Sequence, residues 1–227
     1  MSKTVLITGS TSGVGKELCF FYEKKGWEVW ALGRDKNKLK NQFSNTKVKT
    51  IHADLLDLSI ENLKKQTKDL LKLDLLINNA GLLIKKSFLK LTNQEMKEMY
   101  EVNIFSIHTL IQELHSKLSK ANKASIINIG SAGGVTNTLK FPGMSGYSSS
   151  KAALSVYTEC LATELAEYDI SINCLALGAV ETPMLKQAFP STANKVTPLE
   201  MAEYIYNFSI SSKIINGQTL IIAANNP

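Results

Sequence analysis

The sequence lacks the raw material for a disulfide framework or a metal cluster. Among 227 residues there are 3 cysteines and 3 histidines. Cys19, Cys160 and Cys174 are an odd set without a Cys-x-x-Cys pair, and no cysteine clusters with His52, His108 or His115. Each cysteine stands in an apolar stretch, so all three read as small buried hydrophobes in a reducing compartment, and no metal is expected. Long hydrophobic runs are missing too, and nothing approaches the ~20 residues that a membrane helix needs. The chain passes from Met1-Ser2-Lys3 straight into a β-type run, leaving no room for a signal peptide. A soluble, cytoplasmic protein is expected, without a membrane partner. Proline is scarce and late: Pro142, Pro183, Pro190 and Pro198 lie between elements, and Pro227 ends the chain.

Charge of one sign is not concentrated either. Lysine and arginine number 26 against 20 aspartates and glutamates, a formal net charge of +6. The lysines are strewn through helical stretches (Lys36, Lys38, Lys40; Lys64, Lys65, Lys68), with no stacking aromatics between them. A nucleic-acid partner is therefore not expected. The diffuse positive field suits a small anionic ligand.

What is present is an alternation of β-branched runs with longer helical patterns. Strands are expected at residues 4–8, 28–32, 48–52, 75–78, 125–129, 171–175 and 219–222. Helices are expected at 13–25, 35–43, 60–72, 93–119, 148–168 and 199–209. The strand runs are mostly continuously apolar, as in a parallel sheet covered on both faces. Such alternation implies an α/β fold: a doubly wound, Rossmann-like parallel sheet of about seven strands, in three layers. No linker or internal repeat divides the chain, so residues 1–227 read as a single domain.

The first strand runs into Thr8-Gly9-Ser10-Thr11-Ser12-Gly13-Val14-Gly15 at the head of a helix. Glycine at 9, 13 and 15 lets the backbone turn sharply, approach a ligand and pack the helix on the strand. A helix start also offers unpaired N–H groups and the positive end of the peptide dipole, which suit a pyrophosphate. Gly9, Thr11, Ser12, Gly13, Val14 and Gly15 are thus candidate cofactor contacts. Their GxxxGxG spacing is neither the GxGxxG fingerprint nor a Walker A loop. The second strand ends Ala31-Leu32-Gly33-Arg34, with Gly33 where an acid would bind a bare ribose 2′-hydroxyl. Arg34 follows, and a guanidinium fork chelates phosphate. NADP(H) is favoured and NAD(H) is the alternative. Asp35 reads either as a helix N-cap or as an objection to the phosphate.

Tyr147 and Lys151 stand one helical turn apart, on the same side of a helix. A phenol at its ordinary pKa of about 10 trades protons poorly at neutral pH, and a neighbouring ammonium is expected to lower it. Ser131 follows the fifth strand, at the carboxyl edge where such sheets bind ligands, and its hydroxyl could polarise a carbonyl.

TGSTSGVG at 8–15, Asp54, NNAG at 78–81, Asn103, Ser131, Tyr147-x-x-x-Lys151 and the turn Gly178-Ala179-Val180-Glu181-Thr182 occur in that order. Together they resemble the single-domain branch of the short-chain dehydrogenase/reductase family, over nearly the whole chain. The resemblance implies an oxidoreductase that passes hydride between a nicotinamide dinucleotide and a small carbonyl or alcohol. It implies Tyr147 as acid in reduction and base in oxidation. Lys151 would lower its pKa and hold the nicotinamide ribose, Ser131 would orient the carbonyl, and Asn103 would hold a relay water. Asp54 and Leu55 would meet adenine, Asn79 and Gly81 the adenosine ribose, and Val180 and Thr182 the carboxamide. It also implies a homodimer or homotetramer built on the helices carrying Asn103 and Tyr147. The alternative is a catalytically silent NADP-binding regulatory or structural subunit, against which the intact Asn103, Ser131, Tyr147 and Lys151 speak.

The sequence departs from the family pattern in three places. Ser131 and Tyr147 are sixteen positions apart, a few more than usual, so 132–146 must loop out and reshape the substrate pocket. Leu177 replaces the usual proline before Gly178. The segment 184–197 is short, which trims the lid. Phe141, Met144, Met184, Leu185 and Phe189 read equally well as pocket lining or as core. The substrate itself is not specified, because one catalytic set serves many carbonyls.

Overall fold

Alternating side chains decide the architecture. Along β1 (Thr4–Thr8), Val5 and Ile7 face one side and Leu6 the other, all three fully buried. The same division runs through β2 (Glu28–Gly33), β4 (Leu75–Asn78), β5 (Ala124–Ser131) and β6 (Ile170–Leu177), so each strand feeds two cores. One core takes α1 (Gly13–Lys24), α2 (Lys36–Gln42) and α8 (Pro198–Ser211) through Leu18, Tyr22, Leu39 and Ile205. The other takes α3 (Ile60–Gln66), α5 (Ser106–Leu118) and α6 (Ser145–Glu164) through Leu63, Leu110 and Leu154. Burying each such side chain contributes roughly 1.5–3 kcal/mol.

The computed structural model describes residues 2–191, 196–211 and 214–223. Its sheet has 7 strands, all parallel, in the order β3-β2-β1-β4-β5-β6-β7, with β3 at Lys49–His52 and β7 at Thr219–Ile222. The chain winds outward from β1 to β3, then crosses back to place β4 on the other side of β1. That reversal opens a crevice beyond the carboxyl ends of β1 and β4. Beneath it, Asn78 Nδ2 donates to Asn128 Oδ1 at 2.8 Å and Asn128 Nδ2 donates to Thr158 Oγ1 at 2.9 Å, tying β4, β5 and α6 together.

Several boundaries differ from expectation. Only Ile51 is buried in β3, and β7 is partly exposed, because an edge strand has a neighbour on one side only. The helix expected over 60–72 stops at Gln66. There the Thr67 hydroxyl donates back to Leu63 O at 2.9 Å, and the chain turns to bury Leu70 and Leu73. The helix expected over 93–119 is three pieces: α4 (Asn93–Tyr100), a π turn at Glu101–Phe105, and α5. In the π turn the Ser106 amide donates back to Glu101 O, and the Ser106 hydroxyl donates to Val102 O at 2.8 Å. α6 begins before the expected residue 148, and 166–168 forms a separate 3-10 turn. An unexpected α7 (Pro183–Ala188) starts with proline and is capped by Thr182 Oγ1, which accepts from Leu185 N at 3.2 Å. Cys19 and Cys174 are buried, but Cys160 is exposed, contrary to its expected core place. Among the described residues, no helix is long and apolar enough to cross a membrane.

Candidate active site

At the end of β1 the chain must reverse into α1 without filling the space between β1 and β4. Gly9 does so at φ +69°, where an added Cβ would lie 2.8 Å from Ala80 Cα. A Cβ on Gly15 would strike the Gly9 carbonyl oxygen and Asn79 Nδ2. Asn79 Nδ2 donates to Thr8 O at 2.9 Å and the Ala80 amide donates to Thr8 Oγ1 at 3.0 Å, locking the two strand ends together. Ser12 at the head of α1 makes no side-chain capping bond, and no acidic residue occupies the first turn. The leading amides are thus left for a ligand, and the cradle fits a pyrophosphate.

The resulting crevice has a volume of about 520 Å³. Gly9, Thr11, Ser12, Gly13, Val14, Arg34, Asp54, Leu55, Asn79, Gly81, Ser131, Tyr147, Lys151, Val180 and Thr182 all line it. Gly15 and Asn103 do not, and stand behind its wall. Arg34 is exposed at the rim and makes no ion pair among the described residues. Asp35 resolves as a cap, since its carboxylate accepts from Lys38 N at 2.9 Å. The Asp54 carboxylate accepts from Leu56 N at 3.0 Å.

At the other end, β5 delivers Ser131 as its last residue, and the first two turns of α6 deliver Tyr147 and Lys151. Lys151 is 2% exposed, and its Nζ donates to Ile129 O at 2.8 Å, 5.9 Å from the centre of the Tyr147 ring. A Cβ on Gly81 would lie 3.3 Å from Asn103 Oδ1 and 3.5 Å from Lys151 Nζ, so glycine lets these three meet. Asn103 Oδ1 accepts from Leu82 N at 2.8 Å, and Asn103 Nδ2 donates to Leu82 O at 3.0 Å and Ser150 Oγ at 2.8 Å.

The expected lowering of the phenol is not seen. Burial pushes Tyr147 up to about 12, and the Ser131 hydroxyl draws it only part of the way back. Burial also pushes Lys151 down to about 8, opposed by the Cys174 thiol. Desolvation wins at both groups, because a protein-lined crevice solvates phenolate and ammonium poorly. The phenol is therefore held as a proton donor at neutral pH.

The five apolar residues left open by the sequence, Phe141, Met144, Met184, Leu185 and Phe189, all line this end. Sequence reasoning missed Leu82, Leu83, Ser148 and Gln187 in the lining. The first two directly follow NNAG and Ser148 directly follows Tyr147, so adjacency to a motif was the available signal. Of the short segment 184–197, residues 192–195 lie outside the described residues. No group of 3 or more potential metal ligands occurs among the described residues.

A family profile described as short chain dehydrogenase matches residues 3–193. The chain belongs to that family. Cyclopentanol dehydrogenase from Comamonas sp. (strain NCIMB 9872) is 26% identical over 240 residues, covering 97% of this chain and 95% of the relative. A structure of 4-hydroxyisoleucine dehydrogenase complexed with NADH is 26% identical with a TM-score of 0.86, covering 99% of this chain and 98% of that one. ElxO with NADP bound is also 26% identical, with a TM-score of 0.85 and 98% of each chain covered. The chain is thus an oxidoreductase of the short chain dehydrogenase family with a Rossmann-like, nucleotide-binding fold.

Proposed function

We propose that this short chain dehydrogenase uses NADP(H) to interconvert a carbonyl and an alcohol, with Tyr147 as general acid and base. One observation carries the reading: Ser131, Tyr147 and Lys151 converge at one end of a crevice whose other end is the glycine turn beside Arg34. Gly9, Thr11, Ser12, Gly13 and Val14 would hold the phosphates, and Arg34 the 2′-phosphate. Asp54 and Leu55 would flank adenine, Asn79 and Gly81 the adenosine ribose, and Val180 and Thr182 the carboxamide. NAD(H) is the alternative cofactor, and relatives with either dinucleotide are known.

The bound dinucleotide supplies hydride in reduction and accepts it in oxidation. Ser131 and Tyr147 donate hydrogen bonds to the carbonyl oxygen and strengthen them as negative charge builds there. Tyr147 then gives up its proton, and the Lys151 ammonium stabilises the phenolate left behind. Lys151 also holds the nicotinamide ribose. Asn103 Oδ1 accepts one bond and keeps a lone pair. Because it and Lys151 Nζ flank Gly81, a water between them would return the proton from solvent. With the phenol near 12, reduction runs with its acid fully protonated at neutral pH, while oxidation needs phenolate and speeds up as pH rises.

Phe105 in the π turn and Val156 in α6 are exposed, which supports self-association through these helices as a homodimer or homotetramer. The deciding experiment follows NADPH absorbance against a carbonyl panel, with NADH and Tyr147→Phe alongside. Turnover lost in Tyr147→Phe is the expected result. Equal turnover by the variant overturns the assignment.

A further inference from the structure

The loop between Ser131 and Tyr147 does not drift over the surface but is buckled to two other segments. The Thr138 hydroxyl donates to Ala132 O at 2.6 Å and Val135 O at 2.8 Å, holding the loop in a compact turn with Asn137 at φ 62°. Further along, Gly143 O accepts from the Lys86 amide at 2.9 Å, docking the loop on the segment after NNAG. From that segment Lys85 Nζ donates to Ala188 O, at the end of α7, at 2.8 Å. The same ammonium lies 3.8 Å from the centre of the Phe189 ring. Phe189 meets Phe141 of the loop edge to face, at 5.4 Å between ring centres and 67° between planes. Three segments far apart in sequence therefore close on one aromatic pair, and the ammonium is spent on holding it.

Both rings line the crevice. Met144 lies at the reactive end with them, because its carbonyl accepts the Ser148 amide at 2.7 Å in the first turn of α6, which carries Tyr147. Among the described residues, the charged side chains in the lining are Arg34 and Asp54, which follow β2 and β3, and Lys151, which the proposed mechanism already employs.

We infer that Phe141 and Phe189, pinned by Lys85, form a specificity wall that selects carbonyls carrying a bulky apolar group and rejects those with a carboxylate beside the carbonyl. The inference rests on the proposed function for its chemistry and adds the substrate class. An apolar flank meets two rings and methionine, whereas a carboxylate there would lose its water and, among the described residues, meet no cation that is not already engaged. Lys85 is a positioning residue: it touches the wall, not the reacting atoms.

The test uses benzylacetone, the α-keto acid of the same skeleton, and acetone. Wild type is expected to favour benzylacetone over the keto acid at least tenfold in kcat/KM, the scale on which unpaired buried polar groups discriminate. Phe141→Ala and Phe189→Ala each lower the benzylacetone-to-acetone ratio of kcat/KM about tenfold, through KM. Lys85→Met does so by about threefold, and Lys85→Arg restores it, since either cation can rest on the Phe189 ring. Calorimetric binding of benzylacetone to the NADP⁺-loaded protein reads the wall without turnover, in wild type and in the wall variants alike. Absence of turnover in wild type, with selective binding intact, thus refutes the function but not the wall. Unchanged benzylacetone affinity in both phenylalanine variants, or a preference for the keto acid, refutes the wall.

Discussion

The two ends of the crevice are built by different means. The cofactor end is made of strand termini: β1 and β4 are locked through Asn79 and Thr8, and the backbone of the glycine turn does the work. The substrate end is made of side chains on three connecting segments, held by Lys85, Lys86 and an aromatic pair. Backbone cradles demand particular residues at particular spacings, because a single Cβ destroys them. Side-chain walls accept many solutions, so they change freely while the chemistry beside them stays the same.

The change expected to separate the two ends most sharply is Tyr147→Phe. It removes the transferable proton and leaves the cradle untouched. Turnover should fall about a thousandfold, within the usual range for general acid catalysis, while NADPH affinity measured by fluorescence stays within about twofold. If affinity falls in step with turnover, the two ends are one unit and the comparison fails.

Lys151 tests where burial is most costly. Its pKa drops from 10.5 unfolded to about 8 folded, so between those values the unfolded chain binds more protons and stability rises with pH. Below about 8 the cost of a buried ammonium is fully present. The stability of Lys151→Met minus that of wild type should therefore shrink by roughly 3 kcal/mol between pH 7 and pH 10.5. Urea melts across that range give the difference, and a flat difference would show that the amine is not desolvated. Groups that do not interact with Lys151 cancel in the subtraction.

Gly15→Ala strikes the cradle alone. Its methyl would meet the Gly9 carbonyl and Asn79 Nδ2, and neither can withdraw without unlocking β1 from β4. A loss of about 2–3 kcal/mol by denaturant melts is expected, together with loss of NADPH binding. Retained binding would show that the turn has slack.

These contrasts explain what was legible in the sequence. The parallel sheet could be read because buried strands are runs of apolar residues, and the glycine turn, Tyr147 and Lys151 because their chemistry fixes both type and spacing. The π turn at Glu101–Phe105 was hidden, since its i→i−5 bonds leave the helical periodicity nearly unchanged. α7 was missed although Thr182 and Pro183 spell a helix start, because six residues carry too little periodicity to notice. The Phe141–Phe189 contact joins residues with no sequence relation. The Tyr147 pKa went the wrong way in the reading because one neighbour, Lys151, was weighed without the burial that surrounds both groups.

The smallest effect expected lies at the far rim, where Arg34 is proposed to choose between dinucleotides. Gly33 leaves no carboxylate to repel a phosphate, and Asp35, which follows Arg34, spends its carboxylate on the Lys38 amide. Arg34 is exposed and without an ion pair among the described residues, so its charge is screened and its contribution modest. Arg34→Ala should weaken NADPH about tenfold, or roughly 1.4 kcal/mol, the scale of one charge-assisted hydrogen bond at an open site. NADH should change by less than about twofold, because it lacks the phosphate that the guanidinium meets. The gap between the two cofactors should narrow as salt is raised from 50 mM to 500 mM, as the shrinking Debye length requires. If the substitution weakens both dinucleotides equally, Arg34 only shapes the rim, and selection between them belongs to the backbone cradle after all.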